Sequence, residues 1–337
     1  MNNIKQRKVW IDWLKSIAIM FVIFGHLPMW NDENKAFVCS FHMPLFFIIS
    51  GYLYKPSESI KSCFLKCVHT LLVPYFLFNI LFYPYWYIMK YTKGFDISTI
   101  NTAILKPLIG ILFGQHESAI SSTVNGVTWF LIALFFTEII TEVIIHKKHK
   151  TLFFILTTVL TIGLGMYINS QFISTTFTIQ SFMKLMPFFF GGIMIKQIDF
   201  FEKYNKKLYP LFAFLFLGVW FLFIPYDVDP YRTPIQALSY YLVGFSGSLF
   251  IISCCRLLDS FPNKIVYIIS LGNIIIFGFH WMFIGFINFV LKRYWGIEGE
   301  IGYNLLESIG ITLFITSLLY PIILITKKYF PILMGKR

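Results

Sequence analysis

Two stretches decide the fold: Trp10-Ile-Asp-Trp-Leu-Lys-Ser-Ile-Ala-Ile-Met-Phe-Val-Ile-Phe-Gly-His26 and, after a short break, Phe41-His-Met-Pro-Leu-Phe-Phe-Ile-Ile-Ser-Gly51. Both are apolar enough to enter a bilayer, yet they carry Asp12, Lys15, His26 and His42. Ionisable groups at such depth are costly and mark a pathway or a site. At about 100° per residue, eleven residues bring a helix almost back to its starting angle. Lys15 and His26 therefore share a face, about 16 Å apart along the axis, with Ile19 and Val22 between them and Asp12 one turn before. Lys15 is too deep for bulk water, and Asp12 at i−3 is its natural partner. His42 opens the second helix from the side on which His26 closes the first. Antiparallel neighbours joined by a short loop would place both imidazoles at one depth.

Working outward, the chain has 337 residues, 57% hydrophobic and only 13% charged, which excludes an ordinary soluble domain. Ten segments suit membrane spans: approximately 9–28, 36–54, 70–90, 127–145, 151–170, 181–197, 208–225, 236–256, 264–290 and 303–325. The cationic residues test this division. With the N-terminus inside, inner segments hold 19 of the 28 Lys and Arg, outer segments hold 7, and Lys15 and Lys184 lie within helices. The expected fold is an all-α polytopic membrane bundle of about ten transmembrane helices, both termini cytoplasmic, forming one domain over 1–337. The net charge of +12 follows alternate loops rather than one patch, so it gives no reason to expect a nucleic-acid partner. The first apolar run keeps Asp12 and Lys15 and lacks a small-residue cleavage site, so it is expected to stay as a span rather than be removed. Cys39, Cys63, Cys67, Cys254 and Cys255 show no paired CxxC spacing; they read as small apolar fillers, and no metal site is expected. The outer loop at 91–126 contains an apolar piece, Thr102 to Phe113, too short to cross, which fits an interfacial or re-entrant segment acting as a lid or as plain structure.

Other groups are candidates on their chemistry. Glu138 and Glu142 lie one turn apart and repel, so one meets a cation or is protonated; Glu142 is near enough to Lys147 and Lys148 to serve as an interface residue. Asn125 and Trp129 stand at the outer mouth of that helix, as acceptor-side groups or as a cap and a belt anchor. His280 falls at a depth that could approach His26, and a lone membrane histidine also commonly bonds a neighbouring helix.

The two opening stretches resemble the acyltransferase 3 family, the polytopic membrane O-acyltransferases that modify bacterial glycans. Lys15 and His26 match that family's basic residue, usually Arg, separated by ten residues from a histidine. Leu71-Leu-Val-Pro-Tyr75, Thr128-Trp-Phe-Leu-Ile-Ala-Leu134, Met186-Pro-Phe-Phe-Phe-Gly-Gly192 and Leu271-Gly-Asn-Ile with His280 look like the same family. Lysine at 15 lacks the planar fork that grips an anion with two prongs. Lys61, Lys66 and His69 resemble the family's basic cluster at the inner start of the third span. The resemblance implies a bacterial inner-membrane enzyme with no permanently bound cofactor, using acetyl-CoA as co-substrate. Its acceptor would be a surface polysaccharide or a lipid-linked oligosaccharide. Some members carry an extracytoplasmic hydrolase-like domain; none follows the tenth span here, so transfer is expected within the membrane domain.

On that reading Lys15 with Lys61, Lys66 and His69 holds the donor at the cytoplasmic mouth, and its arm threads one continuous cavity towards His26. His26 acts as general base or transient acyl carrier, with His42 or Ser50 orienting it and Asp12, Glu138 and His280 in support. A glycan or lipid exporter, which consumes no acyl donor, and a membrane receptor are the alternatives. The oligomeric state is not legible.

Overall fold

The computed structural model describes residues 8–29, 32–95, 97–114, 118, 121–171, 179–198, 200–203, 206–222, 232–296, 299 and 301–335. Lys5, Arg7, Lys336 and Arg337 of the charge count lie outside these, as do positions 96, 115–117, 119 and 120 of the outer loop and 223–225 of the 208–225 span. The fold is a helical bundle; among the described residues the one β-type pairing is a single bridge between Met29 and Tyr303.

α1 (Val9–His26) runs through the middle of the bundle, with Ala18, Ile19, Val22 and Ile23 wholly buried. Its first turn leaves backbone N–H groups without partners, and Asp259 accepts from one of them, Trp10 N, at 3.0 Å. The second predicted span is two pieces, α2 (Asp32–Cys39) and α3 (His42–Leu53), broken at Ser40 and Phe41. The third begins ten residues earlier than expected. α4 (Ile60–Cys67) continues into α5 (Val73–Thr92) through one widened turn at Val68–Leu72. Pro74 has no N–H to give the preceding turn, and a wide turn just before it carries the helix through.

After the outer segment with α6 (Lys106–Leu112) come α7 (Trp129–Ile145), α8 (Lys150–Ser170), α9 (Ile179–Gln197), the short α10 (Phe200–Lys203), α11 (Tyr209–Leu222) and α12 (Pro234–Leu257). The ninth span is also divided, into α13 (Lys264–Leu271) and α14 (Asn273–Tyr294), and α15 (Leu305–Tyr329) closes the bundle. Among the described residues eight helical segments are long and apolar enough to cross a membrane; α9 and α11 occupy the positions of the two shortest predicted spans. α8 turns Leu152, Ile155, Leu156, Val159 and Leu160 outward, the pattern of a lipid-facing helix.

In lipid, helices gain from close packing rather than from hydrophobic exclusion, so small residues mark their crossings. α3 and α9 cross where Gly51 and Gly192 face each other's backbone. A Cβ at Gly51 would stand 2.0 Å from Phe189 O, and one at Gly192 would stand 2.2 Å from Ile48 O. Neither neighbour is a side chain that could swing away. The buried Arg256 is held near the start of α1, donating to Phe201 O at 3.1 Å and Tyr209 Oη at 2.8 Å while lying over the Trp10 ring.

Gly51→Ala and Gly192→Ala should therefore each collapse the monodisperse peak of detergent-solubilised protein in size-exclusion chromatography. Gly163→Ala, with nothing within 4 Å of the added carbon, should leave it intact.

Candidate functional site

Three histidines from three helices gather at the outer end of α1. The His26 ring meets that of His280 on α14 edge-on with centroids 5.0 Å apart, and Trp281 lies 6.2 Å from it. His42 packs against the α1 backbone beside His26: a Cβ built on Gly25 would lie 3.8 Å from its ring.

All three are oriented alike. Nδ1 of His26 meets Val22 O at 2.7 Å, that of His42 meets Val38 O at 3.0 Å, and that of His280 meets Ile276 O and Phe277 O at 3.0 and 2.9 Å. A carbonyl only accepts, so Nδ1 carries the proton, and Nε2 of each neutral ring keeps its lone pair. On the wholly buried His280 that Nε2 has no hydrogen-bond partner among the described residues.

His26 opens on an outer cavity of about 740 Å³ whose lining includes Lys35, Lys93, Lys292, Tyr85, Trp281 and Asn288. A second outer cavity of about 330 Å³ adjoins it through Tyr85, Met89, Lys93 and Trp281 and adds Trp86 and Phe95. Asn125 is buried and donates to Gly278 O at 3.1 Å, tying the start of α7 to α14. Trp129 packs against the core. Neither is among the described lining of these outer cavities.

An inner cavity of about 670 Å³ lies between α1, α3, α7 and α14 and is lined by Lys15, Lys55, Lys66, Ser50, Glu138 and Asn273, among others. Asn273 donates to Lys15 O at 3.0 Å, so the break between α13 and α14 falls beside the first helix's cation. Asp12 accepts from Ser270 Oγ at 3.1 Å on the same side. Lys66 pairs with Glu138 at 3.5 Å, and the Cys67 thiol donates to that carboxylate at 3.3 Å. All five cysteines are free. Of the expected donor cluster, Lys66 lines the cavity with Lys15, while Lys61 and His69 are not among its described lining. Ser50 is here too, eight residues and about 12 Å along α3 from His42.

The structure corrects two expectations. First, the inner and outer cavities share no described lining residue. Between them stands an aromatic and aliphatic layer, with Phe130 and Phe277 rings 5.2 Å apart and Phe277 6.3 Å from His280. Second, Glu142 is no loose interface residue. Its side chain is wholly buried, taking hydrogen bonds from Tyr54 Oη, from Ser57 N at 3.0 Å and from His146 Nε2 at 2.7 Å. It clamps the loop carrying Tyr54, Lys55 and Ser57 across the inner mouth.

A multi-pass helical membrane protein with cations at one depth and imidazoles at another is what fold and site define. Residues 8–327 match the family model described as an acyltransferase domain, and the chain belongs to the acyltransferase 3 family. No curated protein and no solved structure gives a match. The protein is thus a membrane acyltransferase.

Glu142→Ala leaves a tyrosine hydroxyl and a backbone N–H without their acceptor, at a cost of about 1.5–3 kcal/mol per charged hydrogen bond. A lowered melting temperature together with new proteolytic cutting between Tyr54 and Ser57 is the expected outcome.

Proposed function

We propose that this acyltransferase moves an acyl group from cytoplasmic acyl-CoA to a hydroxyl of a glycan, free or lipid-linked, that enters the outer cavity. Acetyl-CoA is the donor that the family resemblance implies. The observation that supports this reading best is the His26 imidazole, which borders the outer cavity with Nδ1 fixed on Val22 O, leaving Nε2 as the base.

In the reaction His26 Nε2 takes the acceptor hydroxyl's proton as the oxygen attacks the thioester carbonyl. The C–O bond forms, the C–S bond breaks, and the proton leaves with the CoA sulfur. While the proton rests on His26, its new Nε2–H stays directed at the reacting groups from which it came and to which it returns. His280, whose ring meets the His26 ring edge-on with centroids 5.0 Å apart, holds the plane of that imidazole by packing. His42, bonded to Val38 O and packed on Gly25, sets the position of the α1 end.

The inner cavity suits the donor. Lys15, Lys55 and Lys66 provide cations for its phosphates, and the apolar walls accept its arm. To reach His26 the thioester passes the Phe130 and Phe277 layer, so a ring there must turn during the cycle. The outer cavity suits a sugar, whose apolar faces pack on Tyr85 and Trp281 while Asn288 offers a polar edge.

His26→Ala should abolish transfer while membrane insertion stays normal; full activity in that variant would remove His26 from the chemistry. Lys15→Ala should raise KM for acyl-CoA about tenfold, the worth of one lost charged contact, and Lys15→Arg should restore it. Phe277→Trp should stop transfer yet leave acyl-CoA binding in place. In cells, loss of one ester mass from an otherwise unchanged surface glycan is the result expected on deleting the gene, whereas disappearance of the glycan would favour export.

A further inference from the structure

Membrane proteins keep their cations on the cytoplasmic side, so lysines that gather on the other side call for a reason. Only 7 of the 28 Lys and Arg fall in the outer segments of this chain. Three of those seven, Lys35, Lys93 and Lys292, line the cavity on which His26 opens. Lys90 joins Lys93 in the adjoining cavity, its ammonium 4.1 Å from the Phe95 ring centre. The three come from separate elements: Lys35 from α2, Lys93 from the end of α5 and Lys292 from the last turn of α14.

Among the described residues none of the three has a carboxylate partner; Lys292 Nζ donates to Gly299 O at 2.6 Å and keeps two protons for other use. Lys35 lies within electrostatic reach of the His26 ring. Side chains that merely snorkelled to lipid headgroups would point away from the bundle. These three line the cavity on which His26 opens instead.

We infer that the acceptor is an anionic glycan, read by Lys35, Lys93 and Lys292, with a phosphate or carboxylate close to the hydroxyl that His26 activates. The inference rests on the transfer reading for the identity of the acceptor, and it names that acceptor's chemical class. A flexible ammonium takes phosphate and carboxylate alike as a point charge, so charge is what the cavity selects. Aromatic walls at Tyr85, Trp86 and Trp281 pack the sugar, and the lysines fix which end of it faces His26. All three lysines are exposed, so salt weakens the preference.

The test needs no acyl donor. The full chain in phosphatidylcholine nanodiscs is treated with a membrane-impermeant amine reagent, and labelling at each lysine is read by mass spectrometry. Trigalacturonate, its neutral methyl ester and inorganic pyrophosphate are the probes, with the outer Lys106, which lines neither outer cavity, as internal reference. Trigalacturonate or pyrophosphate should protect Lys35, Lys93 and Lys292 with Lys106 unchanged, and the methyl ester should not. Protection should fade as salt nears about 1 M, where the screening length is about 3 Å.

Protection by trigalacturonate alone would place the charge on the sugar, and protection by pyrophosphate alone would place it on a phosphate such as a lipid carrier bears. Equal protection by the methyl ester, or protection by none of the probes, overturns the inference. In the double variant Lys93→Gln/Lys292→Gln the protecting concentration at Lys35 should rise about a hundredfold, two charged contacts' worth. The transfer reading falls instead if His26→Ala keeps its activity, so the two failures are separate.

Discussion

Each histidine of the site pays for its place in the membrane by bonding Nδ1 to a backbone carbonyl three or four residues back, and the proposed chemistry follows from that bond. A buried polar group without a partner is expensive in lipid, and a carbonyl one turn back is always within reach. His26, His42 and His280 all use it. Spending Nδ1 on the backbone leaves one nitrogen per ring for other work and fixes which nitrogen that is. The same economy serves the hydroxyls: Thr137 and Thr141 on α7, and Thr312 and Thr316 on α15, each donate to the carbonyl four residues before. The helices can therefore carry polar residues towards one another without a water-filled core.

That arrangement holds only if the helices stand at fixed distances. The α3 and α9 backbones touch through Gly51 and Gly192, which places Pro44 to Tyr54 against the Phe188 to Phe190 run and so sets where His42 starts and where Tyr54 ends. At the inner end Glu142 takes over, holding Tyr54 and Ser57 from α7. One carboxylate thus links the helix that begins at His42 with the helix that carries Glu138, and the inner mouth is a rigid frame rather than a loose loop.

Much of this was legible from the chain. The register of Lys15 and His26 on one face follows from helical period alone, and the meeting of His26 with His280 was readable as a matching depth. The divided spans were harder. A break at Gly272 or at Ser40 and Phe41 interrupts the backbone without interrupting the run of apolar residues, so hydropathy passes over it. Glu142 read as an interface group because Lys147 and Lys148 are near in sequence; two of its three partners, Tyr54 and Ser57, arrive from 85 or more positions away, and the third is His146 one turn on. Trp281 and Tyr85 carry the same pattern as belt aromatics, and only the fold turns them inward. The lysines of the outer cavity were visible as exceptions to the charge asymmetry. Their convergence needed three elements brought together in space.

The layer between the cavities is best understood through what an open passage would cost. On the proposed acyl-CoA reading, a channel wide enough for a pantetheine arm would also pass water and protons, and water at the thioester would compete with the acceptor for the acyl group. The Phe130 and Phe277 rings, 5.2 Å apart, stand in the layer that separates the two cavities. Rings turn at less cost than helices move, because a ring rotates within its own contacts. Placing the barrier in side chains rather than in a helix shift also leaves the three imidazoles, each tied to its own backbone, where they were. On the same proposed reading, a donor thioester that displaces the Phe277 ring would arrive beside α14, which carries both this ring and His280, so opening the layer and presenting the carbonyl to the histidines would be the same movement.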